Sequence, residues 1–143
     1  MNSKVAIYVL AAVLVVSGTL AWFVSRPRPA VTAAPLTADA KTYVRNLRLA
    51  DVSMKATESY VGQTVTEIEG KITNGGQRSV SQVDVNCVFY NVYGEVILRE
   101  RVAIVKRALK PGETRNFRLP FDDIPGSWNN QMPQLVIARI EFG

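Results

Sequence analysis

Hydrophobic positions along this chain fall into two regimes. From Val5 to Val24 (VAIYVLAAVLVVSGTLAWFV) they run for twenty residues without a charge or a proline, flanked by Lys4 on one side and Arg26 and Arg28 on the other. At about 1.5 Å of rise per residue, such a run spans roughly the 30 Å of a bilayer's hydrocarbon core and predicts a transmembrane helix. From Tyr43 onward apolar residues mostly recur at every second position, the spacing of strands that bury one face. Strands are predicted near 43–57, 64–73, 81–91, 95–106, 114–121 and 134–142. Val83, Val85, Cys87 and Phe89 point one way, with Asp84, Asn86 and Tyr90 opposite; Phe117, Leu119 and Phe121 alternate with Arg118 and Pro120. Val136, Ala138, Ile140 and Phe142 are predicted to share a face, alternating with Ile137, Arg139 and Glu141.

Turn chemistry separates these runs. Asn74-Gly75-Gly76 tolerates positive φ, Tyr93-Gly94 ends a strand, and Lys110-Pro111-Gly112-Glu113 suits a type II turn. Short strands punctuated in this way predict an all-β domain, a sandwich of two antiparallel sheets rather than a parallel α/β sheet.

The chain divides into a tail and transmembrane helix over 1–25, a Pro/Ala-rich linker over 26–41 and a β-domain over 42–143. Ser25 to Ala40 holds three prolines and many alanines, the composition of an extended tether. The apolar run is too long for a secretory signal core of about 7–15 residues, and the one cleavage-like pattern, Val31-Thr32-Ala33, lies well beyond it. An uncleaved anchor in the cell (inner) membrane is expected. Flanking charges are almost balanced and lean towards a cytoplasmic carboxyl-terminal part. A very short leading tail favours the opposite, an extracytoplasmic domain, which is the orientation expected here. Within the span Ala11, Ser17, Gly18 and Ala21 form a small-residue region suited to close helix approach, and Tyr8 and Trp22 suit the two interfaces.

Several of these residues together resemble a known family. Glu69-Gly70-Lys71-Ile72-Thr73-Asn74-Gly75-Gly76, the stretch VDVNCVFYNVYG from Val83 to Gly94 with Glu95-Val96-Ile97 after it, and the segment Leu109 to Phe117 (LKPGETRNF) are similar to bacterial FxLYD-type domains. Phe121 to Pro133, with Pro125 and Trp128-Asn129, looks more like a subgroup of single-anchor bacterial proteins built on a domain of unknown function. The namesake motif is altered here to Phe89-Tyr90-Asn91-Val92-Tyr93. The resemblance implies an Ig-like (fibronectin type III-like) sandwich behind one N-terminal transmembrane helix, and no assigned activity.

Chemistry is sparse. The chain has no histidine and one cysteine, so the usual nucleophile–base triads are excluded, and no nucleophile-elbow or Ser-x-x-Lys pattern appears. Zinc-ligand spacing, phosphate-cradling loops and dinucleotide fingerprints are missing too, so the sequence predicts a non-enzyme without cofactor. Cys87, between Val85 and Phe89, reads as a core thiol. Asp122 and Asp123 alone make a poor cation site, since calcium takes six to eight oxygens. Trp128, in the loop DDIPGSWNNQMP, either caps one end of the sandwich or anchors a partner.

Charge is the remaining surface signal. The chain carries +5, and Arg99, Arg101, Lys106, Arg107, Lys110, Arg115 and Arg118 crowd one stretch opposed only by Glu100 and Glu113. Nucleic acid is not expected, because Phe117 and Phe121 belong to the core face and leave no stacking platform. The sequence therefore predicts a single-pass protein that binds another membrane or envelope protein or serves as accessory subunit of a complex, with Arg99, Arg101, Lys106, Arg107 and Trp128 as candidate contacts. The alternative is a module for anionic lipid or polysaccharide at the membrane surface.

Overall fold

A computed structural model describes residues 35–58, 62 and 64–143. The predicted span Val5–Val24, its residues Ala11, Ser17, Gly18 and Ala21, and most of the linker lie outside the described residues. Within them, no helix is long and apolar enough to cross a membrane.

The described part starts with a short helix, α1 (Ala38–Tyr43), and a 3-10 turn, Val44–Asn46. Thr37 caps α1, its Oγ1 accepting the Ala40 N–H at 3.2 Å. Ala38, Asp39 and Ala40, which the sequence placed in the tether, form the first turn of this helix, and Ala40 and Tyr43 are buried in the core. Tyr43 to Asn46, expected to open the first strand, are helical instead.

Six strands follow: β1 (Leu47–Glu58), β2 (Thr64–Asn74), β3 (Val80–Tyr90), β4 (Val96–Val105), β5 (Thr114–Phe121) and β6 (Gln134–Phe142). They form two antiparallel three-stranded sheets, β1-β2-β5 and β4-β3-β6. The inner faces meet in one core that includes Ile68, Ile72, Phe117, Leu119 and Phe121 from the first sheet and Val83, Val85, Cys87, Phe89 and Val105 from the second. The all-β sandwich read from alternating positions is the architecture observed.

Bulges tune the alternation. Val85 lies opposite Ile137 but Asp84 opposite Arg139, so Ala138 is an extra residue in β6. Leu135 and Ile137 therefore pack towards the core and Val136 faces out, exposed, which corrects its predicted inward placement. In β1 a register shift between Ala50 and Ser53, with Asp51 at φ 51°, lets Leu49 and Val52 both reach the core. The Lys110–Glu113 turn forms as expected, with the Glu113 N–H donating to Lys110 O at 3.0 Å and Gly112 at φ 78°.

Candidate interaction surface

The outer faces of the two sheets differ in how their charges are used. On the first sheet Lys55 Nζ lies 2.9 Å from Glu69 Oε2, Lys71 Nζ 2.8 Å from Asp51 Oδ2, and Arg118 2.6 Å from Glu67 Oε1 and 3.3 Å from Glu69 Oε1. Cations and carboxylates are thus interlocked. Lys71 holds the Asp51 carboxyl below its ordinary range, Lys55 chiefly does the same for Glu69, and Glu67 raises Arg118.

On the second sheet, register builds three rows across the outer face: Arg99–Val88–Gln134, Arg101–Asn86–Val136 and Ala103–Asp84–Arg139. Arg139 pairs with Glu141. Arg99 and Arg101 make no ion pair among the described residues; Arg101 Nε reaches only Asn86 Oδ1, at 3.4 Å. Val88 is 4% exposed although it lies outside the core cluster, and its register neighbours on that face are the long side chains Arg99 and Gln134.

β4, a free edge of this sheet, is guarded. Bulges at Ile97 and Ile104 break its ladder, and Glu100, opposite the inward-facing Cys87, sets a carboxylate on the inner side of the edge. Burial first, and then Glu100, pushes the Cys87 thiol up to about 12. On β5, an edge of the other sheet, Pro120 withholds a backbone donor.

The two ends of the sandwich also contrast. At the end where the chain comes in from Pro35, Tyr43 Oη lies 2.8 Å from Asn74 Oδ1 and 2.9 Å from Arg78 O, and accepts the Arg78 N–H at 3.1 Å. Asn74 is fully buried. Its Nδ2 donates to Arg78 O and Leu109 O, its Oδ1 accepts the Gly76 N–H, and its own N–H donates to Glu113 O. The loop after β4 belongs to this end, with Lys106, Arg107 and Lys110 exposed and Arg115 donating to Arg107 O and Ala108 O.

At the opposite end Trp128 packs edge-on against Phe89, ring centroids 5.7 Å apart, and its backbone bridges Asn91. The indole Nε1 is buried without a hydrogen-bond partner among the described residues. Trp128, Phe121, Ile124, Thr66 and Asn130 line an open cleft of about 270 Å³. The adjoining β3–β4 turn, braced by Asn91 Oδ1 accepting the N–H groups of Tyr93 and Glu95, exposes Val92 (75%) and Tyr93 (85%).

The predicted contacts therefore do not form one patch. Arg99 and Arg101 share a sheet face, Lys106 and Arg107 lie past the end of β4, and Trp128 caps the far end. Sequence reasoning missed Asn86, Val88, Gln134 and Val136 as companions of the two arginines, because strand pairing rather than sequence adjacency unites them. No protein family, no curated protein and no solved structure matches this chain.

Proposed function

We propose that this is a single-pass, membrane-anchored, non-enzymatic protein whose Ig-like sandwich stands outside the cytoplasm and docks onto another membrane or envelope protein with the end remote from its tether. The observation that carries the reading is Val92 and Tyr93 standing exposed at that end, beside the half-exposed Val96 and Met132. Large apolar side chains held out on a braced turn are a usual mark of a contact surface. The unbroken apolar run Val5–Val24 supports the anchor. Strand order supports the Ig-like topology: β1-β2-β5 corresponds to Ig strands A-B-E, and β4-β3-β6 to C′-C-F.

The test has two arms. Cysteines placed at exposed Asn116 and Gln134 should react with a membrane-impermeant thiol reagent in intact cells; reaction only after permeabilisation would put the domain in the cytoplasm. The full chain purified in mild detergent should bring down one stoichiometric membrane or envelope protein, lost in V92D/Y93D but retained in K71M. Absence of a stoichiometric companion, or equal retention in V92D/Y93D, would refute docking.

A further inference from the structure

Charge is sorted along the sandwich from one end to the other. Strand pairing places α1, the β2–β3 turn, the β4–β5 loop and the end of β6 at the same end, tied together by Tyr43 to Asn74, Asn74 to Glu113, Val80 to Leu109 and Gly143 to Ser79. That end gathers Lys41, Arg45, Arg48, Arg78, Lys106, Arg107, Lys110 and Arg115, against the carboxylates Asp39, Glu113 and Glu141. Each of the three carboxylates is already engaged, Asp39 by Arg78, Glu113 by Arg115 and Glu141 by Arg139. Lys41, Arg45, Lys106, Arg107 and Lys110 are exposed and make no ion pair among the described residues. The far end is the reverse. Glu58, Glu95, Asp122 and Asp123 lie there, and residues 56–66, 89–98 and 119–138 contain no lysine or arginine.

The cationic end is also where the tether arrives, since Pro35 to Thr37 lead directly into α1. Two further cations, Arg26 and Arg28, stand between the apolar run and the domain in sequence. We infer that this end is an electrostatic foot: Lys41, Arg45, Lys106, Arg107 and Lys110 seat the domain end-on upon the anionic head groups of the membrane that anchors it. The inference rests on the anchor in the proposed function and adds a second contact to it. Cations near an anionic leaflet are attracted over about a Debye length, roughly 8–10 Å, so the foot acts only when the domain stands close to the surface. The acidic far end would be repelled by the same surface if the domain were inverted and that end brought within this range. Attraction at one pole and repulsion at the other fix the sense in which the domain stands, leaving Val92, Tyr93 and the Trp128 cleft directed away from the bilayer. Arg99 and Arg101, midway along the second sheet, lie outside the foot.

The test uses the purified full chain in nanodiscs, without any protein partner. One set contains phosphatidylcholine alone and the other about 30% phosphatidylglycerol, a fraction chosen to give an appreciable surface potential. Cys87 is buried, so a single donor dye is carried by Y93C at the far end or by A108C in the foot loop, with an acceptor on the head groups. The expected result is that anionic discs raise transfer from A108C and lower or leave unchanged that from Y93C. K106E/R107E/K110E and added salt should each abolish the difference between the two disc types, while R99E/R101E should preserve it. Equal transfer in neutral and anionic discs would overturn the foot, as would a response lost in R99E/R101E but kept in K106E/R107E/K110E, which means face-on docking. Failure of the chain to co-purify with either disc would overturn the anchor, and the foot with it.

Discussion

Tyr43 and Asn74 lie 31 positions apart in sequence, and the phenol oxygen of the first is 2.8 Å from the amide oxygen of the second. The pair closes the end of the core that α1 adjoins. A Cβ on Gly76 would stand 2.3 Å from the Tyr43 hydroxyl, so the glycine is there to let the ring in. Asn74→Ala leaves Leu109 O and the Gly76 N–H without their side-chain partner and Arg78 O with the Tyr43 hydroxyl alone, and should cost about 3–5 kcal/mol. Tyr43→Phe keeps the ring against Phe142 and should cost about 1–2 kcal/mol. Urea unfolding of the full chain, with Trp22 changed to Phe so that Trp128 alone reports, gives both values; equal losses would show that the amide is not the hub.

Gly70 faces Phe117 across the β2–β5 pair, and a Cβ there would lie 2.6 Å from the ring's Cζ. Gly70→Ala should therefore destabilise by about 1–3 kcal/mol through overpacking. Combining it with Phe117→Leu should cost less than the sum of the two single changes, a coupling readable in a double-mutant cycle. Strict additivity would contradict the contact.

The Cys87 thiol is fully buried and its ionisation is pushed up to about 12, first by burial and then by Glu100. In folded protein it should resist maleimide or iodoacetamide at neutral pH and react promptly in denaturant, because the thiolate is the nucleophile. Glu100→Gln should leave that protection intact, since burial is the larger cause.

Asp51, Glu69 and Glu113 all sit below their ordinary values, held respectively by Lys71, chiefly by Lys55, and chiefly by the Lys110 N–H with Arg115 behind it. The folded state binds these protons less readily than the unfolded chain, so the contribution is whole above the ordinary values of 3.8 and 4.5 and is lost as pH falls from them through the lowered folded values. Lys71 and Arg118 are raised, so their share is lost only as pH climbs past their raised values, in strong alkali. The urea midpoint should decline between about pH 5 and pH 3, and Lys71→Met should flatten part of that decline. A midpoint independent of pH over this range would remove these pairs from the stability of the fold.

Trp128 separates size from polarity. Its Nε1 is buried without a partner, so Trp128→Phe discards an unsatisfied donor and should cost less than about 1 kcal/mol. Trp128→Ala removes the ring that covers Phe89 and should cost about 2–4 kcal/mol. A large loss in Trp128→Phe would mean that the indole N–H has a partner after all.

The strands were legible in the sequence where period two held, and misread where it slipped. Val80 and Val83, Leu49 and Val52, Val102 and Val105, and Ile137 and Ile140 are each three apart, and each pair reaches the core because a bulge restores the phase. Apolar spacing of three inside a strand was the available signal, and it would have turned Val136 outward. Helix α1 was hidden because six residues with two buried positions are too few for a helical period to show; Thr37 as a cap was the only local sign. The cationic cluster was legible as composition alone. Which cations share a surface depends on pairings such as Arg101 across to Val136, and on an end defined by loops far apart in sequence.

Glu100, Pro120 and the interrupted ladders of β1, β4 and β6 bear on crowding. With the proposed anchor, copies of the chain would share one bilayer and meet by a search in two dimensions rather than three. There an open strand edge is a standing invitation to zip copies into ribbons. On the anchoring proposed above, strands whose rims disfavour a second strand would let copies of this domain crowd one patch of membrane without pairing edge to edge.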